Sequence, residues 1–117
     1  MKTLIIDRRK WLRISAPNYV TTSLCDITNK KMCCLGFYLR SLDLSEKDFL
    51  DLGMPNETKI NKIKLGWLLS NTCGRYNSEH CKDLADINDD NSTNDKSKEE
   101  AIAEIFRKHD VKVIFRN

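Results

Sequence analysis

The sequence feature that most constrains the fold is the segment 31–40, Lys-Met-Cys-Cys-Leu-Gly-Phe-Tyr-Leu-Arg, the densest apolar run in the chain. Apolar side chains recur at helical spacing, at Met32, Leu35, Leu39 and Leu42. Other apolar residues widen this face beyond a single stripe, and a helix that is apolar on most sides is buried on most sides. The pattern therefore predicts a central buried helix over about residues 32–42. Gly36 lowers its helix propensity, and we expect this glycine to mark the close approach of another element.

Strands are predicted near both ends of the chain. Segments rich in β-branched residues, or with alternating apolar and polar ones, lie at 3–7, 19–25 and 111–115. The region between the first two and the last is largely helical in pattern. We therefore expect a small α+β fold, a single domain over residues 1–117. Its N- and C-terminal strands should share one antiparallel or mixed sheet, packed on the central helix and a C-terminal helix.

Helix starts are predicted from capping residues. Ser45 followed by Asp48 indicates the start of a second helix, and the last helix is expected to begin near Asn94 or Ser97. A short helix is predicted over 80–87. Residues 56–66 fit either a basic loop or an edge strand.

Size and composition indicate a soluble globular protein. The chain has 117 residues, of which 40% are hydrophobic and 32% are charged. Its longest apolar runs are far shorter than the roughly 20 residues that a membrane span needs. The apolar N-terminal segment is too short for a signal peptide and is interrupted by Asp7 and the basic residues after it. We therefore expect a cytoplasmic protein with no membrane partner.

The cysteines predict buried thiols rather than a disulfide framework. There are five of them, Cys25, Cys33, Cys34, Cys73 and Cys81. Their odd number, the adjacent pair and the lack of an export signal all argue against disulfides. Cys33 and Cys34 lie near a helix N-terminus, where the helix dipole lowers the pKa of a thiol as a nucleophile would require. Only His80 and His109 could act as a base, and no spacing matches a Cys–His enzyme, so we do not expect catalysis.

No metal or other cofactor is expected. The potential zinc ligands, which are the last four cysteines and His80, lack the C-x-x-C pairs of structural zinc sites. The aspartates between 86 and 95 lack the glycine and the closing glutamate of a calcium loop. A turn and capping role is the better interpretation of these aspartates.

Charge is divided unevenly along the chain, and this division indicates the candidate binding residues. The N-terminal part is basic and the segment 79–110 is acidic. Such halves can simply attract each other, or each can form a charged face for a partner. The basic face could bind phosphates, although a pI near 8.6 is mild for that role. The acidic face could imitate nucleic acid or bind a basic partner. The candidate partner-binding residues are Arg8, Arg9, Lys10, Arg13, Asp86, Asp89 and Asp90.

Several segments resemble a family of small, mostly uncharacterised proteins of phages and prophages. The resemblance rests on residues 4–13, the Met-Cys-Cys-Leu-Gly-Phe run at 32–37, the acidic segment 84–90 with its Ile-Asn-Asp-Asp, and the ending 102–115. It carries no catalytic residues. It implies a viral accessory protein in the host cytoplasm that acts by binding a host protein or complex, with inhibition of an antiviral defence complex as the leading version. The alternatives are a small nucleic-acid-binding protein and a cysteine- or zinc-dependent enzyme.

Overall fold

The computed structural model describes residues 1–13, 24–26, 30–59, 62–70, 75–90 and 92–117. Most of the strand predicted at 19–25 lies outside these ranges, and so does Cys73. Leu24 and Cys25 are described and are buried in the core, where Cys25 forms an isolated parallel bridge with Leu50.

The two terminal segments form the sheet of the described structure. Strand β1 is Lys2–Asp7 and strand β2 is Val111–Arg116, and they pair in register from Lys2 opposite Val111 to Asp7 opposite Arg116. This confirms that the first and last strands share one sheet. Their pairing is parallel, so the expectation of an antiparallel or mixed sheet is not confirmed. The connection between the strands contains all the helices, and such a crossover is what joins parallel neighbours.

The elements between the strands are helical. In the described residues four α-helices follow β1, in the order α1 Cys34–Ser41, α2 Glu46–Phe49, α3 Glu79–Asp89 and α4 Asp95–Arg107. Two 3₁₀ segments, Pro55–Glu57 and Lys62–Leu68, lie between α2 and α3, where the sequence fitted either a loop or an edge strand. Among the described helices, none has the length and apolar character needed to cross a bilayer. The result is an α+β fold.

Helix α1 is the buried centre that its sequence predicts. Every residue from Cys34 to Leu39 is buried. The helix begins later than predicted because Met32 is extended and bridges Trp11: its N–H donates to Lys10 O at 2.9 Å, and its C=O accepts the Leu12 N–H at 2.7 Å. A Cβ on Gly36 would lie 1.8 Å from Leu24 O, so this glycine does mark the close approach of another segment.

Side-chain caps fix the starts of the other helices. The Asp48 carboxylate accepts the backbone N–H of Ser45 at 3.0 Å, as the sequence indicated. Of the two predicted starts for the last helix, the structure selects Asn94, whose side chain accepts the Ser97 N–H at 2.8 Å. Ser78 caps α3 by accepting the Cys81 N–H at 3.1 Å.

A buried polar residue joins the N-terminal segment to the helices. The Asn88 side chain is fully buried, and its Oδ1 accepts the Trp11 Nε1–H at 2.8 Å and the Cys34 N–H at 3.1 Å. Its Nδ2 donates to Leu12 O at 3.0 Å. Its backbone carbonyl accepts from the buried Lys98 Nζ at 3.0 Å. Buried polar groups are stable in a core only when they are hydrogen-bonded in this way.

Candidate functional site

The basic segment after β1 is held on α4 by ion pairs. Arg8 forms a two-point contact with Glu99, with Nε 2.9 Å from Oε2 and Nη2 2.8 Å from Oε1. These hydrogen bonds raise the pKa of the Arg8 guanidinium. Arg13 donates to Asp95 at 3.0 Å and lies over the Trp11 ring, 4.4 Å from its centroid. Both arginines therefore bind the N-terminal residues of α4 within the same chain.

The other two basic candidates are more exposed. The Arg9 side chain is 76% exposed and contacts Asp7, which also accepts the Arg9 backbone N–H at 3.0 Å. These hydrogen bonds with Arg9 are the main reason that the pKa of Asp7 is lowered. Lys10 is exposed in the same turn. The four basic candidates are thus close together, but Arg8 and Arg13 turn towards α4.

The three acidic candidates lie at the end of α3 in different environments. Asp86 is exposed, whereas Asp89 and Asp90 are half-buried. Asp89 accepts a hydrogen bond from Asn88 Nδ2 at 3.1 Å. Asp90 accepts from the Ser92 hydroxyl and backbone N–H at 2.6 and 2.8 Å, and these hydrogen bonds lower its pKa. Asp90 therefore serves the turn between α3 and α4, as a turn and capping role predicts.

Asp86 belongs to a row of three acidic residues, and the candidate set did not include the other two. Glu79, Asp83 and Asp86 follow one another at i, i+4 and i+7 on α3 and are all exposed; we call them the acidic stripe. Glu79 contacts Lys82 at 3.5 Å. Within the described residues, neither Asp83 nor Asp86 forms an ion pair. The signal was present in the sequence, because a helix beginning after Ser78 places these three residues on one face.

The thiols are enclosed by the core. Cys25, Cys33, Cys34 and Cys81 are free and buried, with exposures of 4% or less. Burial raises the pKa of Cys33 to about 12 and that of Cys81 to about 12, and it also raises the pKa of Cys34. The expected lowering by the α1 dipole is therefore outweighed by the loss of water around the sulfur. A thiol in this state is a poor nucleophile.

The two histidines contact each other, which the sequence did not suggest. His80 Nδ1 lies 2.6 Å from His109 Nε2, and the Trp67 indole stacks on the His109 ring with centroids 3.8 Å apart. The Trp67 Nε1–H donates to Tyr38 Oη at 3.0 Å. Among the described hydrogen bonds, none joins an imidazole to a thiol, so the histidines form an aromatic cluster and not a Cys–His pair.

No metal cluster accompanies these groups in the described parts of the chain. There, no three His, Cys, Asp or Glu side chains come together as metal ligands. The cavities of the described structure include one of about 280 Å³ and one of about 210 Å³. The larger is lined by Lys47, Asp48, Leu50, Leu52, Glu57 and Lys59, and neither a cysteine nor a histidine is among these residues.

No family model, no curated protein and no solved structure matches this chain.

Proposed function

We propose that this chain is a non-catalytic accessory protein that acts by binding another protein, and that the acidic stripe is its contact surface. The observation that carries the proposal is the contrast between the two charged regions. Arg8 and Arg13 are already bound to carboxylates of α4, whereas Asp83 and Asp86 are exposed without an ion pair in the described structure. Exposed charge of one sign on a rigid helix attracts a surface of the opposite sign and speeds association.

The partner that fits this surface is a protein with a basic face. Carboxylates spaced along one helix face present negative charge in a row, and basic grooves that bind nucleic acid are built for such rows. The resemblance to phage and prophage proteins motivates the leading version, in which the partner is a host antiviral defence complex and its binding inhibits defence. The buried thiols support a role without covalent catalysis.

Charge reversal on the acidic stripe tests this proposal. The chain and its Asp83→Lys/Asp86→Lys variant are used as baits in lysate of a bacterial host, and bound proteins are compared by mass spectrometry at low and high salt. The matched control is Glu100→Lys/Glu104→Lys, because these residues are also exposed, lie at i and i+4 on α4 and change the net charge equally.

We expect a basic host protein that binds the unchanged chain and the control but not the stripe variant, and whose binding weakens as salt rises. If both variants lose the bound protein to the same extent, net charge, and not this surface, determines binding. Recovery of no specific protein with any bait would contradict the proposal as a whole. Circular dichroism of the three baits verifies that each is folded.

A further inference from the structure

The outer edge of β2 carries backbone groups that form no hydrogen bond in the described part of the chain. Lys2 N–H donates to Asp110 O at 3.1 Å and Arg8 N–H to Arg116 O at 2.6 Å, so the even-numbered residues of β2 face β1. In a parallel pair the alternate residues, Val111, Val113 and Phe115, then direct their N–H and C=O groups away from β1. In the described structure these groups form no hydrogen bond within the chain. Val111 is only 2% exposed, whereas Val113 and Phe115 are half-buried, so the edge is most open at these two residues. An open edge is a template for another strand.

A shallow groove runs beside this edge. It has a volume of about 210 Å³ and is lined by Met1, Ala103, Arg107, Val111, Lys112 and Val113. Met1 is 74% exposed there. On the opposite face of the sheet, Ile5 is 43% exposed and pairs with Ile114. Ile5 lies on β1, so the apolar side chains beside the β2 edge are the half-buried Ala103, Val113 and Ile114, which a neighbouring strand would cover.

We propose that two copies of the chain associate through β2, antiparallel about a two-fold axis, to form a four-stranded sheet in the order β1-β2-β2-β1. A two-fold interface uses the same surface twice, and it is the commonest symmetry of soluble oligomers. This inference is independent of the acidic stripe, which lies on α3.

The direction of the free backbone groups restricts the register. Only odd-numbered residues present N–H and C=O groups at this edge, so the hydrogen-bonded pairs must join odd residues to odd residues. With the axis at Val113, this residue opposes itself and Val111 opposes Phe115 of the second copy. Lys112 then opposes Ile114 of the second copy on the other face of the sheet.

Charge selects this register among its neighbours. An axis at residue 112 would place Lys112 opposite Lys112 of the second copy, and an axis at residue 114 would place Lys112 opposite Arg116 twice. Like charges directly opposite each other destabilise a sheet. The axis at Val113 instead brings Asp110 beside Arg116 of the second copy, twice by symmetry. The Asp110 side chain is 78% exposed, and its contact with the N-terminal amine is 4.0 Å long.

Lys112 could also have the opposite effect and keep β2 from pairing with another strand. A lysine on an edge strand is also a common means of preventing strand pairing. In the selected register the two Lys112 side chains are diagonal neighbours, with about 7–8 Å between their backbones. Both are exposed, so their ammonium groups can point apart in water.

The mass in solution and the exchange of single amides test the proposal. Sedimentation equilibrium over a range of concentrations should give twice the 13.6 kDa of one chain at the upper end. Hydrogen exchange should then slow at the amides of Val113 and Phe115 as concentration rises, whereas Val111 is already buried in the single chain. The amides of Thr3 and Ile5, which point to the outer side of β1, serve as the internal control. A mass of one chain throughout, or protection at Thr3 and Ile5 instead, would overturn the proposal.

A pair of charge variants tests the register. Arg116→Asp alone places aspartate beside aspartate, and Asp110→Lys alone places lysine beside arginine, so each should dimerise about tenfold more weakly. Mixing the two should restore dimers, because every contact is again between opposite charges. Lys96→Asp, an equal charge change on exposed α4, should leave the dimer unchanged. Unaltered dimers from each single variant, or protection of Val113 only when a foreign protein is added, would contradict the two-fold pairing.

Discussion

His80 and His109 lie 29 positions apart, yet His80 Nδ1 is 2.6 Å from His109 Nε2. A contact of this length is a hydrogen bond, so one of the two nitrogens must be an unprotonated acceptor. Trp67 stacks on His109 and donates to Tyr38 on α1. The histidine contact thus adjoins the contact between the 3₁₀ segment Lys62–Leu68 and α1.

Stability should fall as the pH falls through the titration of His109. Burial is the main reason that the pKa of His109 is lowered from 6.5, and the charges of His80 and Lys108 lower it further. Because the folded pKa lies below the unfolded one, the unfolded chain binds the proton more readily. The contribution of His109 to stability is therefore fully present above pH 6.5. Below pH 6.5 this contribution declines, by at most about 1.4 kcal/mol per pH unit.

The measurement is the free energy of unfolding in urea at several pH values, for the unchanged chain and for His109→Gln. Other groups contribute to the total pH dependence, so the informative quantity is the difference between the two proteins. That difference should shrink as the pH falls from about 7.5 to about 5, because protonation of His109 removes the stability that it adds relative to glutamine. A difference that is constant across this range would show that His109 is not destabilised by protonation.

Replacing Asn88 should destabilise the fold more than any surface change. Asn88→Ala would leave the buried Trp11 Nε1–H and Cys34 N–H without the acceptor that they share. Unpaired buried donors and the cavity together should cost about 2–4 kcal/mol in free energy of unfolding. Urea denaturation measures this loss, with the exposed Asp86→Ala on the same helix as the control, expected within about 0.5 kcal/mol of the unchanged chain. Similar values for the two variants would refute a structural role for this asparagine.

The sequence predicted the elements with a local signal and missed the contacts that depend on tertiary structure. The run at 31–40 is apolar on most sides, and Ser45 and Asn94 carry caps, so these helices could be located from sequence. Strand direction could not be read from residues 3–7 or 111–115, because nothing in a single strand records how the chain returns to pair with it.

The same distinction applies to the candidate site. Arg8 and Glu99 are 91 positions apart, and no local pattern predicts that they pair. The sequence therefore could not separate basic residues that bind α4 from basic residues that face a partner. The acidic stripe could have been predicted, because its spacing is helical, but only if Glu79–Asp89 was first recognised as one helix.

Gly36 should not tolerate even one added carbon. The Cβ of alanine there would lie 1.8 Å from Leu24 O and 2.9 Å from Leu24 C, both backbone atoms that cannot rotate away. Gly36→Ala should therefore lower the free energy of unfolding by about 2 kcal/mol or more, although alanine is the better helix former. Gly53→Ala is the matched control, because its Cβ would meet only the flexible Glu57 side chain at 3.2 Å. Equal thermal stability of the two variants would contradict the close approach of residue 24 to α1.

The described thiols should be protected in the folded protein. Cys25, Cys33, Cys34 and Cys81 are buried, and burial raises the pKa of all four, so the reactive thiolate is scarce and shielded. Labelling with a thiol reagent, mapped by mass spectrometry, should be slow at these positions and become fast in denaturant.

Cys33→Ser and Cys34→Ser should each cost on the order of 1 kcal/mol or more in stability, since a hydroxyl replaces a buried sulfur. Fast labelling of Cys33 or Cys34 under native conditions, with stability unchanged in the serine variants, would instead indicate an accessible thiol and reopen the cysteine-enzyme alternative.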